Sequence, residues 1–140
     1  MILISHRGNL DGPSNSENHP DQIKKVLGLG YDCEIDLWYE FGKFFLGHDI
    51  PEYAIHPTFL DQEGLWIHCK NLDALNICTD KQNYFWHETD SYTLTSKGYI
   101  WTFPNKKISE KSVIVHKNRN WRIKNYNCFG VCTDYILNKK

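Results

Sequence analysis

His6-Arg7 follows a short apolar run, Ile2-Leu3-Ile4-Ser5, and Glu34 and Asp36 stand two apart in a second apolar segment. Alternate side chains of an extended chain share a face, so this spacing brings both carboxylates to one side. His48-Asp49 follows a predicted hairpin, and His68 and Lys70 share a face near the end of a further strand. Two carboxylates, several histidines and two cations at one mouth would suit a hard divalent metal and a phosphate.

These residues need strands to carry them to a common end. Ile2-Leu3-Ile4-Ser5 reads as a buried strand, and residues 9–18 as a loop rich in Asn, Ser, Gly and Pro. A helix is expected to start at His19-Pro20-Asp21, show Ile23, Val26 and Leu27 on one face, and end at Gly28 and Gly30. Further strands are expected over 31–38, 44–46, 65–70, 84–87, 99–103, 113–115 and 129–133. A short helix is expected near 72–78, and a helical turn over 119–126. Residues 49–58, with Pro51 and Pro57, look irregular. The alternation of strand and helix signals favours α/β architecture with a parallel sheet, in which residues at the carboxyl ends of strands converge.

The 140 residues fit one domain, 1–140, and an apolar fraction of 41% argues for a folded chain. With 16 Lys+Arg against 17 Asp+Glu there is no basic block of the kind that binds nucleic acid. No apolar stretch is long enough to span a membrane. The first six residues read as a strand rather than a signal peptide. Five cysteines without a C-x-x-C pair speak against a disulfide framework or structural zinc, so a cytoplasmic location is expected.

The ordered segments ISHRGN (4–9), SEN (16–18), CEIDLW (33–38) and LGHD (46–49) resemble those of the glycerophosphodiester phosphodiesterase family. GVCTDY (130–135) is similar to that family's closing strand. The resemblance implies a compact TIM-like (β/α) barrel with shortened or missing helices, and metal-dependent hydrolysis or cyclisation of a small phosphodiester. By position it makes His6 and His48 the acid–base pair. Arg7 and Lys70 become phosphate contacts, Glu34 and Asp36 metal ligands, and Glu17 a ligand or orienter. The cofactor implied is one divalent ion: Mg²⁺, Ca²⁺ or Mn²⁺.

The chain departs from the family in two places. The family's third strand has E-x-K, whereas this chain has His68-Cys69-Lys70. Either His68 joins the metal ligands, favouring ions that accept nitrogen, or the three acidic residues bind the metal with water. Only about fifteen residues separate Asp49 from the third strand, too few for the usual cap, so the mouth should be open and shallow. Two alternatives stand beside the hydrolase: a catalytically silent phosphate-binding module, and phospholipase D-like headgroup release from a lysolipid. His87-Glu88 and Asp90 could line the same mouth, Asp134 could hydrogen-bond across it, and Trp86 and Trp101 would fill the core. His56 and His116 are expected at the surface or in loops. Apolar outer surface left by missing helices could be covered by homodimerisation.

Overall fold

The computed structural model describes residues 1–122 and 126–138. The chain begins with β1 (Ile2–His6), α1 (Pro20–Gly28), β2 (Asp32–Glu40), β3 (Lys43–Leu46) and β4 (Tyr53–Ile55). A 3₁₀ turn at Pro57–Asp61 leads to β5 (Leu65–Cys69), α2 (Leu72–Ile77) and β6 (Tyr84–Phe85). The second half has β7 (Tyr92–Leu94), β8 (Ile100–Thr102), β9 (Ser112–His116), β10 (Gly130–Thr133) and a closing 3₁₀ turn, Ile136–Asn138.

All ten strands among the described residues join one mixed sheet. The main path runs β4-β3-β2-β1-β10-β9-β8-β7, while β5 pairs with β2 and β6. Pairs along β6-β5-β2-β1-β10-β9-β8 are parallel, and β3, β4 and β7 attach antiparallel. The sheet curls, because inward side chains from both arms meet. Ile4 of β1, Trp66 of β5, Phe85 of β6, Trp101 of β8, Val113 and Val115 of β9 and Cys132 of β10 form one cluster. Phe85 and Trp101 stack with centroids 4.7 Å apart.

This corrects the expected TIM-like α/β barrel. The protein is mostly strand, a curled half-barrel with two α-helices among the described residues, of nine and six residues. The reason lies in the connections. Residues 86–91 and 103–111 are too short for helical crossovers, which need a dozen residues or more. Residues 86–91 lead instead into an antiparallel strand, and 103–111 cross as loop.

The two helices cover one arm. Ile23 and Val26 of α1 and Ala74 of α2 pack on the outward residues Cys33, Ile35 and Leu37 of β2 and Leu65, Ile67 and Cys69 of β5. Each such large apolar side chain, fully buried, contributes about 1.5–3 kcal/mol. His19 caps α1 by accepting from the Asp21 N–H, and Pro20 occupies the first turn, where no donor is lost. On the other arm loop side chains stand where a helix would lie, with Trp121 the buried one among them and Ile108, Tyr126 and Tyr135 packed around it. Trp121 covers Ile114 and Val131, its indole N–H donating to the Tyr135 carbonyl at 2.6 Å.

Most expected strands are present within two residues of their expected ends. Residues 49–58, expected irregular, contain β4, and β7 had no expectation. The helical turn expected over 119–126 includes residues 123–125, which lie outside the described residues. No helix among the described residues is long and apolar enough to cross a membrane.

Candidate functional site

The outward residues of β2 and β5 feed the helix-backed core, so alternation turns Glu34, Asp36 and His68 inward. β2 and β5 pair in parallel with Asp36 opposite His68, which sets carboxylate beside imidazole. Glu34, Asp36 and His68 each offer one donor atom, and the three atoms lie within 4.8 Å of one another.

The hydrogen bonds around His68 define its role. Nε2 lies 2.8 Å from the carbonyl of His87, an acceptor only, so Nε2 carries the proton. Nδ1 then faces Asp36 Oδ1 at 3.2 Å and Glu34 Oε1 at 3.7 Å. The ring is held flat against Phe85, with centroids 5.2 Å apart and planes 8° apart. Asp36 Oδ1 is buried and has no hydrogen-bond partner; His68 Nδ1 and the Lys70 ammonium lie near it, at 3.2 and 3.8 Å. An orphaned carboxylate oxygen, a second buried carboxylate and an oriented imidazole nitrogen fit a divalent cation that tolerates nitrogen.

The two carboxylates are driven apart in acidity. Burial and the charge of Asp36 push Glu34 up. Burial also acts to raise Asp36, but His68 in its imidazolium form, Arg7 and the Asn18 amide outweigh it and hold the carboxyl at about 2. Asn18 grips Asp36 at two points: its side-chain amide donates to Asp36 Oδ2 at 2.8 Å, and its side-chain oxygen accepts from the Asp36 N–H at 2.9 Å. That requires the left-handed backbone of Asn18 (φ 60°), a conformation asparagine adopts more readily than most residues.

Arg7 is also left-handed, with φ 55°, at a cost of about 1–2 kcal/mol for a residue with a Cβ. Its N–H donates to the Glu34 carbonyl at 3.0 Å, and lies 3.2 Å from Glu34 Oε2. The reversal turns the guanidinium back over β2, with Nη1 3.3 Å from Glu17 Oε2 and Nε 3.3 Å from Asp36 Oδ2. Lys70 brings its ammonium to 3.8 Å from Asp36 Oδ1.

His6 stands beside Glu34, with Nε2 3.9 Å from Oε2. Its Nδ1 is 2.7 Å from Asp134 Oδ1, which also accepts from the Asn9 amide at 2.8 Å. The same Asn9 amide donates to Glu17 at 2.8 Å, so one side chain ties the two acidic groups together. Burial disfavours the imidazolium, but the Asp134 hydrogen bond and the charge of Glu34 prevail, and the His6 pKa is raised. Asp134 is lowered: burial opposes this, and the bonds from His6 and Asn9 overcome it.

These groups open onto a cavity of about 360 Å³, lined on one side by His6, Arg7, Glu34, His68 and Lys70. Trp86, Trp101, Phe103, His87 and Lys117 line other parts of it, and His48 also contributes. No protein-family model, curated protein or solved structure matches the chain.

Of the eight residues singled out from sequence, His6, Arg7, Glu34, His68, Lys70 and His48 line the cavity. Asp36 lies at its base, touching Arg7, His68 and Lys70. Glu17 is set back, bonded to Arg7 and Asn9 rather than grouped with the three clustered donors. His48 is the outlying member, with its side chain 39% exposed and its Nδ1 on Asp49. His87 lines the cavity and Asp134 reaches His6, as their positions after β6 and β10 suggested. Asn9 and Asn18 had no expected role, although each sits within a segment that carries the family resemblance; their polarity and turn preference were the available signals.

Proposed function

We propose that the protein is a metal-dependent phosphodiesterase acting on small glycerophosphodiester-type substrates. The observation that carries the reading is the buried Asp36 Oδ1, without a hydrogen-bond partner, grouped with Glu34 and with a His68 nitrogen freed by the His87 carbonyl. Glu34, Asp36 and His68 would hold one divalent cation, which supplies positive charge at a phosphoryl oxygen. An N,O,O donor set suits Mn²⁺ better than Mg²⁺ or Ca²⁺.

The remaining steps belong to the chain's own groups. Arg7 and Lys70 flank the cluster and would offset charge on the non-bridging oxygens as it grows. Asp134 holds Nδ1 of His6, leaving Nε2 for proton transfer at a substrate oxygen. Asp49 leaves Nε2 of His48 available in the same way. One histidine takes the proton of the attacking hydroxyl or water, and the other protonates the leaving alkoxide.

Turnover of glycerophosphodiesters and of a chromogenic phosphodiester with Mg²⁺, Mn²⁺ or Ca²⁺ tests this. The expected result is chelator-sensitive release of alcohol, strongest with Mn²⁺. Saturable metal and phosphate binding without turnover of any phosphodiester would overturn the hydrolase in favour of a binding module.

A further inference from the structure

The sequence spacing of the cysteines suggested no pair, yet the fold makes one. Cys69 ends β5 and Cys78 caps the carboxyl end of α2, and their sulfurs lie 3.9 Å apart. Both are free thiols, Cys69 buried and Cys78 half-buried. We propose that Cys69 and Cys78 are a redox site, closed to a disulfide by hydroperoxides and reopened by thiols.

The geometry asks for little movement. A disulfide needs sulfurs about 2.0 Å apart, so the gap must close by about 1.9 Å. Cys78 stands just past a helix of six residues and is extended (φ −62°, ψ 144°), so the end of α2 can supply the shift. The half-buried thiol is the one positioned to meet an oxidant first.

The Cys78 thiolate attacks the outer oxygen of the hydroperoxide; an S–O bond forms, the O–O bond breaks, and the alkoxide leaves to be protonated. The Cys69 thiol then attacks the sulfenic sulfur: the S–S bond forms, the S–O bond breaks, and hydroxide departs with the Cys69 proton as water. Two electrons pass from the sulfur pair to the peroxide. The link tethers α2 to the strand that carries His68, directly before Lys70. Cys69 packs in the helix-backed core and, with His68 and Lys70, also borders the cavity, so the clip acts on the cavity wall itself.

The reduced full-length chain, treated with one equivalent of hydrogen peroxide and then denatured, tests the proposal. Titratable thiols are expected to fall from five to three, with a mass loss of two hydrogens and a peptide linking 69 to 78. Dithiothreitol should restore all five. Buried Cys69 is a poor site to substitute, so Cys78→Ser carries the test and should abolish the linked peptide. Cys128→Ser, at another part-buried thiol, should leave the link intact. A titre that stays at five, oxygen adducts on Cys78 that never resolve, or a link through another cysteine would overturn it.

Discussion

His6 and His48 make the same contact in opposite surroundings. Each sets Nδ1 2.7 Å from an aspartate oxygen, Asp134 for one and Asp49 for the other. The His6 pair is sunk into the cavity wall, its side chains 13% and 9% exposed. The His48 pair is at the rim, with side chains 39% and 89% exposed. Identical distances thus carry different weight. In a low-dielectric wall the bond fixes tautomer and ring direction, whereas at the rim water competes for both partners. The first pair also crosses the sheet from β1 to the residue after β10, while the second joins chain neighbours.

Four experiments would break or sharpen this contrast. The largest effect should come from the imidazoles themselves: His6→Ala and His48→Ala should each lower kcat by about 10²–10⁴-fold, the usual worth of a positioned acid or base. A loss below tenfold for His48→Ala would move the second proton transfer to another cavity group. The aspartates should then separate the pairs. Asp134→Asn should cost about 10–100-fold, as expected for a group that orients a buried imidazole. Asp49→Asn should cost no more than about fivefold, the range of an exposed ion pair. Equal losses would remove the distinction between wall and rim.

The third experiment concerns the metal. His68→Glu replaces a nitrogen donor by a carboxylate and should shift preference from Mn²⁺ toward Mg²⁺ or Ca²⁺ by about tenfold. Unchanged relative affinities in metal titrations would exclude His68 from the ligand set.

The smallest effect is on stability. In metal-free protein Asp134→Asn should cost about 1–3 kcal/mol near pH 5–6, from a buried charged hydrogen bond, and Asp49→Asn less than about 0.5 kcal/mol. The signs follow from linkage. Asp134 is depressed in the fold, so its contribution is present above its unfolded value of 3.8 and fades as pH falls through the lower folded value. His6 is raised, so its contribution is present below 6.5 and fades as pH rises through the higher folded value. The melting-temperature gap between wild type and Asp134→Asn should therefore be widest between those two values and narrow on either side. A gap independent of pH would mean that the pair is not ionic.

Much of the wall was legible in the sequence because it rests on two short-range rules. Two-residue alternation put Glu34 with Asp36 and His68 with Lys70, and His19-Pro20 marked the start of α1. The architecture was misjudged because strand order says little about what fills the spaces between strands. Residues 103–111 cross between parallel strands without a helix, and loop side chains led by Trp121 cover β9 and β10. β4 and β7 escaped notice for a different reason. At three residues each, with half-buried and exposed positions only, they carry no apolar alternation to read. Asn9 and Asn18 depend on contacts with Asp134 and Asp36, across 125 and 18 residues of sequence, and composition does not encode those meetings.

β2 has a property that reaches beyond the cavity. Its nine residues pair with β5 along one edge, and with β1 and then β3 along the other, so three partners hold it. Amide protons along its middle should be among the last in the molecule to exchange with solvent, because releasing them requires both arms of the sheet to part. Glu34 and Asp36 ride on that stretch. Partial opening of the outer strands would leave the two carboxylates fixed in place, and on heating the cavity floor should survive until the cooperative loss of the whole sheet.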